Sequence, residues 1–335
     1  GKYAGNLHYE GDNNIAIGNG AAQRAEAMKN SIAIGTDAGL VSDGENGIFI
    51  GNKAGYKNTT GSDNIFLGNS AGYTNTKGEQ NVFVGNSAGF SNTEGSLNVF
   101  MGYLVGYKNT KGESNVFLGH QAGYSNTTGS NNVFLGNNAG QQNISGGSNT
   151  FIGNDAGENN TTGSGNIFVG DQSGYENTTG GNNVFLGTGA GSGNTIGVDN
   201  IFIGHSAGNT SSLTNYNVFI GYKSGYYYNK NTTDYEELRP GNTYIGAYSG
   251  YGGSINTNNG IRNAFYGHYS GYSSTTGSAN TFLGAESGRY VTSGMYNIIV
   301  GWKSGWNLKT GSYNVYLGCG SMGGSSSESY KLRIG

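Results

Sequence analysis

Short apolar triplets punctuate this chain at a fixed interval, and glycine closes each one. Ile48-Phe49-Ile50-Gly51, Ile65-Phe66-Leu67-Gly68 and Val133-Phe134-Leu135-Gly136 are typical. The closing glycines run from Gly51 to Gly221 in steps of 17, preceded by Gly18 and Gly35. They resume at Gly246, Gly267, Gly284, Gly301, Gly318 and Gly335. β-Branched and aromatic residues in such runs read as short strands. Alternation along a strand puts Val133 and Leu135 on one face and Phe134 on the other, so both faces are apolar. The rest of each unit is small and polar. Ala or Ser stands three residues past the closing glycine (Ala54, Ala71, Ala88), and Gly stands four past it, from Gly39 through Gly305. Five past it is usually an aromatic residue, as at Tyr56, Tyr73, Phe90 and Tyr107. A turn of the form Asn75-Thr76-Lys77-Gly78 follows. Asn and Gly tolerate positive φ and mark tight corners.

Self-similarity at this period is the signature of a solenoid rather than of an ordinary globular enzyme. The expected fold class is all-β, a parallel β-solenoid (β-roll) of about 17-residue coils. It is expected to run as one continuous body over residues 1–335 in about 19 coils. Two short strands and two turns are expected per coil. Stacking at about 4.8 Å per coil gives a rod of about 90 Å. A thin coil can bury only one apolar face of its strand within its own chain. The other face requires a partner, and a three-fold bundle closes such an arrangement, so a homotrimer is expected. Two asparagine columns run in register, Asn64 through Asn217 and Asn58 through Asn194. Stacked side-chain amides of this kind hydrogen-bond along an axis and satisfy the corners.

Composition narrows the classes. Glycine is 65 of 335 residues but proline occurs once, at Pro240, which excludes collagen. The net charge of −3 and the absence of a basic cluster exclude a nucleic-acid partner. No apolar stretch of about 18 residues is present, so no direct membrane insertion is expected. The lone Cys319 cannot form an internal disulfide. No phosphate-loop motif or calcium-binding aspartate repeat occurs, so no cofactor is expected. His120, His205 and His268 share the position after the closing glycine; a solvent-facing role is expected for them, and no metal site. The adjacent Glu236 and Glu237 would point apart on a strand and make a poor acid–base pair. No catalytic constellation is found, and the chain is expected not to be an enzyme. A threonine column (Thr59, Thr76, Thr93, Thr110, Thr127) raises an ice- or mineral-binding alternative, but Ile144 interrupts it.

The early repeats, Asn13 to Ala22 and Asn30 to Gly39, resemble the head repeats of trimeric autotransporter adhesins. Later repeats such as Asn115 to Gly129 look like the arrays of phage tail-fibre and bacterial fibre proteins. The resemblance covers nearly the whole chain. It implies a trimeric parallel β-roll with an attachment role, outside the cell, on a bacterial surface or a virion tail fibre. The segment Ser325 to Gly335 is similar to the stretch preceding a self-cleaving intramolecular chaperone in such fibres. A chain that starts on Gly1 and stops on a full repeat is expected to be a processed product or fragment of a longer fibre protein.

The register falters twice. Gly221 to Gly246 spans 25 residues and Gly246 to Gly267 spans 21, which places insertions within 222–245 and 247–266. Insertions in repeat proteins map to loops, often on the binding face. The candidate ligand-binding residues are therefore Tyr226, Tyr227, Tyr228, Tyr235, Arg239 and Tyr251, with Trp302 and Trp306 from the aromatic-rich last third. Tyrosine offers a large contact area and a hydroxyl at low entropic cost. The expected function is a structural and attachment fibre that binds a host or neighbouring cell-surface glycan or protein through multivalent faces. The alternative is a passive stalk whose receptor-binding part lies elsewhere.

Overall fold

The computed structural model describes residues 1–5, 11–211, 214–228, 241–252, 260–322 and 324–335. Two compact units are present, Gly1–Gly165 and Asn166–Gly335. The first carries nine three-residue strands, β1 (Ile15–Ile17) through β9 (Thr150–Ile152), each parallel to the next. The second carries ten, β10 (Ile167–Val169) through β19 (Leu332–Ile334), paired in the same way. Each unit is a parallel β-solenoid, with no helix among the described residues.

Register follows the closing glycine. In the first unit Val99, Phe100 and Met101 pair with Val116, Phe117 and Leu118. The central residue of each triplet points inward. Phe66, Phe83, Phe100, Phe117, Phe134 and Phe151 are fully buried. Their ring centroids lie 4.7–4.9 Å apart with planes within 11°. That separation is the spacing of neighbouring strands, so backbone ladder and ring stack share one period. Each such ring pair adds about 0.5–1.5 kcal/mol beyond burial. The second unit repeats the stack from Phe168 to Phe219, then through Tyr244 and Phe265 to Phe282. The flanking aliphatic residues of each triplet point outward and are half-buried to exposed, with Leu283 at 50% and Ile298 at 45%. The apolar face directed into the coil is thus the aromatic one.

Only one of the two expected strands forms in each coil. The opposite side is a row of turns that still bonds coil to coil: the Gly106 N–H donates to the Ala122 carbonyl (3.0 Å) and Lys108 N–H to Tyr124 (2.9 Å). The physical reason is left-handed backbone at alternate positions. In one coil Gly102, Leu104 and Gly106 have φ of 135°, 54° and 56°, which rules out an extended run. The closing glycine is obligatory twice over. Its φ lies between 120° and 144° from Gly18 to Gly318. A Cβ on Gly119 would also drive into the carbonyl of Gly136 in the next coil. Four residues on, a Cβ at Gly123 would strike the Phe117 ring.

Both asparagine columns are buried and bonded. In one, the Asn98 N–H donates to Asn81 Oδ1 (3.0 Å), and the Asn98 amide to the Gly112 carbonyl (2.9 Å). In the other, the Asn92 amide donates to Asn75 Oδ1 (2.6 Å) and to the Gly95 carbonyl (2.8 Å). Threonine hydroxyls at the next position are spent likewise, Thr76 Oγ1 donating to the Thr93 carbonyl (2.8 Å). The corner just past the second column absorbs changes of length. Ile32 pairs with Ile48, one residue short of the usual interval. Val218 pairs with Thr243, eight residues over. Strand register survives both. The inserted Tyr235 and Arg239, with Asp234, Glu236 and Glu237, lie outside the described residues.

Candidate functional site

The turn side of the second unit carries an aromatic face. Its residues stand one, two, five and six positions past the closing glycines Gly221 to Gly301. The fifth position is aromatic in the first unit as well, where Tyr56, Tyr73, Phe90, Tyr107 and Tyr124 stack at 4.8–5.3 Å. In the second unit the neighbouring second position becomes aromatic too, and two columns run side by side. Tyr226, Tyr251 and Tyr272 form one, with centroids 5.5 and 5.0 Å apart. Tyr248 and Tyr269 form the other, 5.0 Å apart and within 2° of parallel. The columns meet edge to face, Tyr248 on Tyr251 at 5.5 Å and Tyr269 on Tyr272 at 5.1 Å. Tyr227 adds an edge contact to Tyr226 (4.7 Å) and Tyr251 (5.1 Å). Tyr222 packs on Tyr248 at 5.1 Å.

Cations border these rings. Lys223 Nζ lies 5.4 Å from the Tyr222 centroid and 5.3 Å from Tyr226. Arg289 takes the fifth position after Tyr272, with its Cζ 4.4 Å from Tyr269 and 5.6 Å from both Tyr272 and Tyr290. Its Nη1 donates to Glu286 Oε2 at 2.9 Å, and its Nε has no acceptor among the described residues. Lys303 Nζ sits between the two indoles, 4.7 Å from Trp302 and 5.1 Å from Trp306. Cation–π contacts of this kind contribute about 0.5–1 kcal/mol at exposed sites. Burial, followed by the Tyr227 hydroxyl, pushes the Tyr251 phenol up, so it stays protonated and able to donate.

The structure therefore brings Tyr226, Tyr227 and Tyr251 together and places Trp306 beyond Arg289 on the same face. Trp302 stands at its margin, 53% exposed. Tyr228 is a correction. It is fully buried, edge-on to Phe219 at 5.6 Å and to Tyr244 at 6.4 Å. It occupies the seventh position, where other coils hold the corner asparagine, so it fills the core and offers nothing to a ligand. Burial pushes its phenol well up. Sequence reasoning counted Tyr272 in the fifth-position aromatic row without assigning it to the site, and missed Tyr248, Tyr269 and Arg289. Counting positions from Gly246, Gly267 and Gly284 would have aligned them.

The three described histidines, His120, His205 and His268, are exposed. His120 stacks on Tyr103 and His205 on Tyr222, both at 5.4 Å. Among the described residues no group of three or more His, Cys, Asp or Glu side chains is placed to hold a metal ion, and no helix is long and apolar enough to cross a membrane. No protein-family model matches this chain, and no curated protein matches it.

Proposed function

We propose that this protein is a structural attachment fibre. In this reading three chains associate along their strand faces and present the aromatic faces outward to a cell-surface glycan or protein. The observation that carries the reading is the double tyrosine column with its bordering cations, a surface that a mere spacer does not need. Rings stacked on a repeating backbone are held rigidly, so ligand contact costs little ordering entropy. Three copies raise avidity for a weak ligand without new contacts. The outward aliphatic residues of each strand, such as Met101, Ile167 and Leu283, support self-association, because exposed apolar columns of this kind mark interaction surfaces. An extracellular setting, on a bacterial surface or a virion, follows from the resemblance of the repeats.

A glycan array probed with the full chain tests the attachment reading. Binding should be retained by the parent and lost by a Tyr251→Ala, Tyr272→Ala double variant. A blank array, or equal binding by the variant, would sink it. Mass measurement in solution tests the trimer, and a stable monomer would remove it. The first unit, whose turn side lacks the second tyrosine column, fits a stalk role within the same fibre.

A further inference from the structure

The aromatic face ends, within the second unit, on a cleft of about 490 Å³ lined by Tyr290, Trp306, Asn307, Lys309, Ser325 and Ser326. Its volume is in the range of small-ligand sites. The regular stack stops here because Arg289 replaces a ring between Tyr272 and Trp306. Trp306 instead meets Tyr290 edge to face, with centroids 4.8 Å apart and planes at 89°. No parallel ring covers Trp306 among the described residues, so the indole lines the cleft instead of filling a column. Opposite walls are tied together by the backbone: Lys309 N–H donates to the Ser326 carbonyl at 2.7 Å, and Thr310 N–H to the same oxygen at 3.0 Å.

The charges around the cleft do not cancel. Arg289 and Lys303 flank the indole, with Cζ at 5.8 Å and Nζ at 5.1 Å from its centroid. The nearby carboxylates are already committed. Glu286 is held by Arg289. Glu328 accepts from Arg333 Nε (3.0 Å) and Nη2 (2.9 Å), from the Tyr316 hydroxyl and from the Gly324 N–H (2.9 Å). Lys309 makes no ion pair among the described residues and stands exposed in the cleft wall. An aromatic plane, an amide, two hydroxyls and one uncommitted ammonium are the groups that a sugar ring bearing a carboxylate requires. Such a ring would pack its C–H face on the indole, set its hydroxyls toward Asn307, Ser325 and Ser326, and bring its carboxylate to Lys309.

We propose that this cleft is a subsite for an acidic saccharide. The inference rests on the attachment reading above and narrows its ligand. Trp302 and Trp306 are the two tryptophans of the chain, so Trp302→Phe leaves Trp306 as the single indole reporter. In that background the full chain is titrated with tetragalacturonate and with sialyllactose, each beside its carboxyl-reduced counterpart. The acidic forms should shift Trp306 emission and bind about tenfold or more tightly than the reduced forms. The difference should shrink as ionic strength rises. Lys309→Met should remove it by weakening only the acidic ligands, and Asn307→Ala should weaken all four. Equal binding of acidic and reduced sugars, or acidic binding untouched by Lys309→Met, would overturn the proposal. Glycans bound on the array with no change in Trp306 emission would overturn the cleft and leave the attachment reading standing. A blank array with no titration signal would end both.

Discussion

The two units use the same corner differently. Seven residues past the closing glycine, the first unit holds asparagine in every coil from Asn58 to Asn160. The second starts with Asn177 and Asn194, then substitutes Ser211, Tyr228, Ser274, Val291 and Leu308, all buried. The other asparagine column does not change: Asn242, Asn263, Asn280, Asn297 and Asn314 continue it to the end of the second unit. The Phe row, the closing glycines and this column are what both units share. Past Asn194 this corner gives up its amide row and is filled by serines and apolar side chains in turn, with Ser274 and Val291 in successive coils; a serine also serves an amide, since Asn58 donates to Ser42 Oγ at 3.1 Å. In the unit where that corner is released, the turn side also gains its tyrosines.

The largest expected effect tests what is common. Gly119→Val in the first unit and Gly284→Val in the second should each abolish cooperative folding of their unit, because the side chain meets backbone in the next coil. Circular dichroism and limited proteolysis read this directly, and tolerance in either unit would break the claim of a shared frame. Phe117→Ala and Phe202→Ala come next, each costing about 3–5 kcal/mol in urea unfolding. Unequal costs would show that the stack is not equivalent in the two units. The corner exchange is smaller. Asn109→Leu strands the Asn92 Oδ1 and one N–H of Asn126, and Leu308→Asn sets an amide beside Val291, which supplies neither a donor nor an acceptor side chain. Each should cost about 2–3 kcal/mol, and a neutral result for either would show that the corner accepts amide and apolar filling alike. Tyr244→Phe should stabilise by about 1 kcal/mol, because the buried hydroxyl lies near Asn263 but outside hydrogen-bond geometry. The last effect is confined to the final coil. Hydrogen bonds from Arg333 lower the Glu328 carboxyl to about 2 from its ordinary 4.5. A folded value below the unfolded one means that the stabilisation is complete above about pH 4.5 and drains away as pH falls toward 2. Hydrogen-exchange protection factors at Leu332–Ile334, taken relative to the intrinsic rate at each pH, should fall over that window in the parent and stay flat in Glu328→Gln.

Much of the frame was legible because its physics is local and periodic. A triplet such as Val133-Phe134-Leu135 before Gly136 declares strand, core ring and tight close at once. The single strand per coil was not legible. Left-handed backbone two residues past the closing glycine is held by Lys53, Leu104, Gln121 and Tyr248 alike, so composition carries no signal there. Stacked neighbours, not residue type, impose it. The first asparagine column looked finished at Asn217 only because a fixed step of 17 miscounts after an insertion. The site was half legible for a related reason. Tyr226, Tyr227 and Tyr251 stood out by proximity to the insertions, and Tyr272 shared the fifth-position row of Tyr226 and Tyr251, while Tyr269 and Arg289 needed coil positions to be seen as their neighbours. Tyr228 was misplaced because a tyrosine run was read as surface, although the seventh position had been occupied inward by Asn58 and its successors throughout.

The corner after that seventh position has a use beyond this chain. It takes one residue fewer after Ser42 and eight more after Tyr228, and the strands on either side still pair in step. A coil of this kind is a socket. Foreign peptides grafted after Ser42 or after Tyr228, the corners whose length already departs from the repeat, would be displayed without retuning the strands on either side.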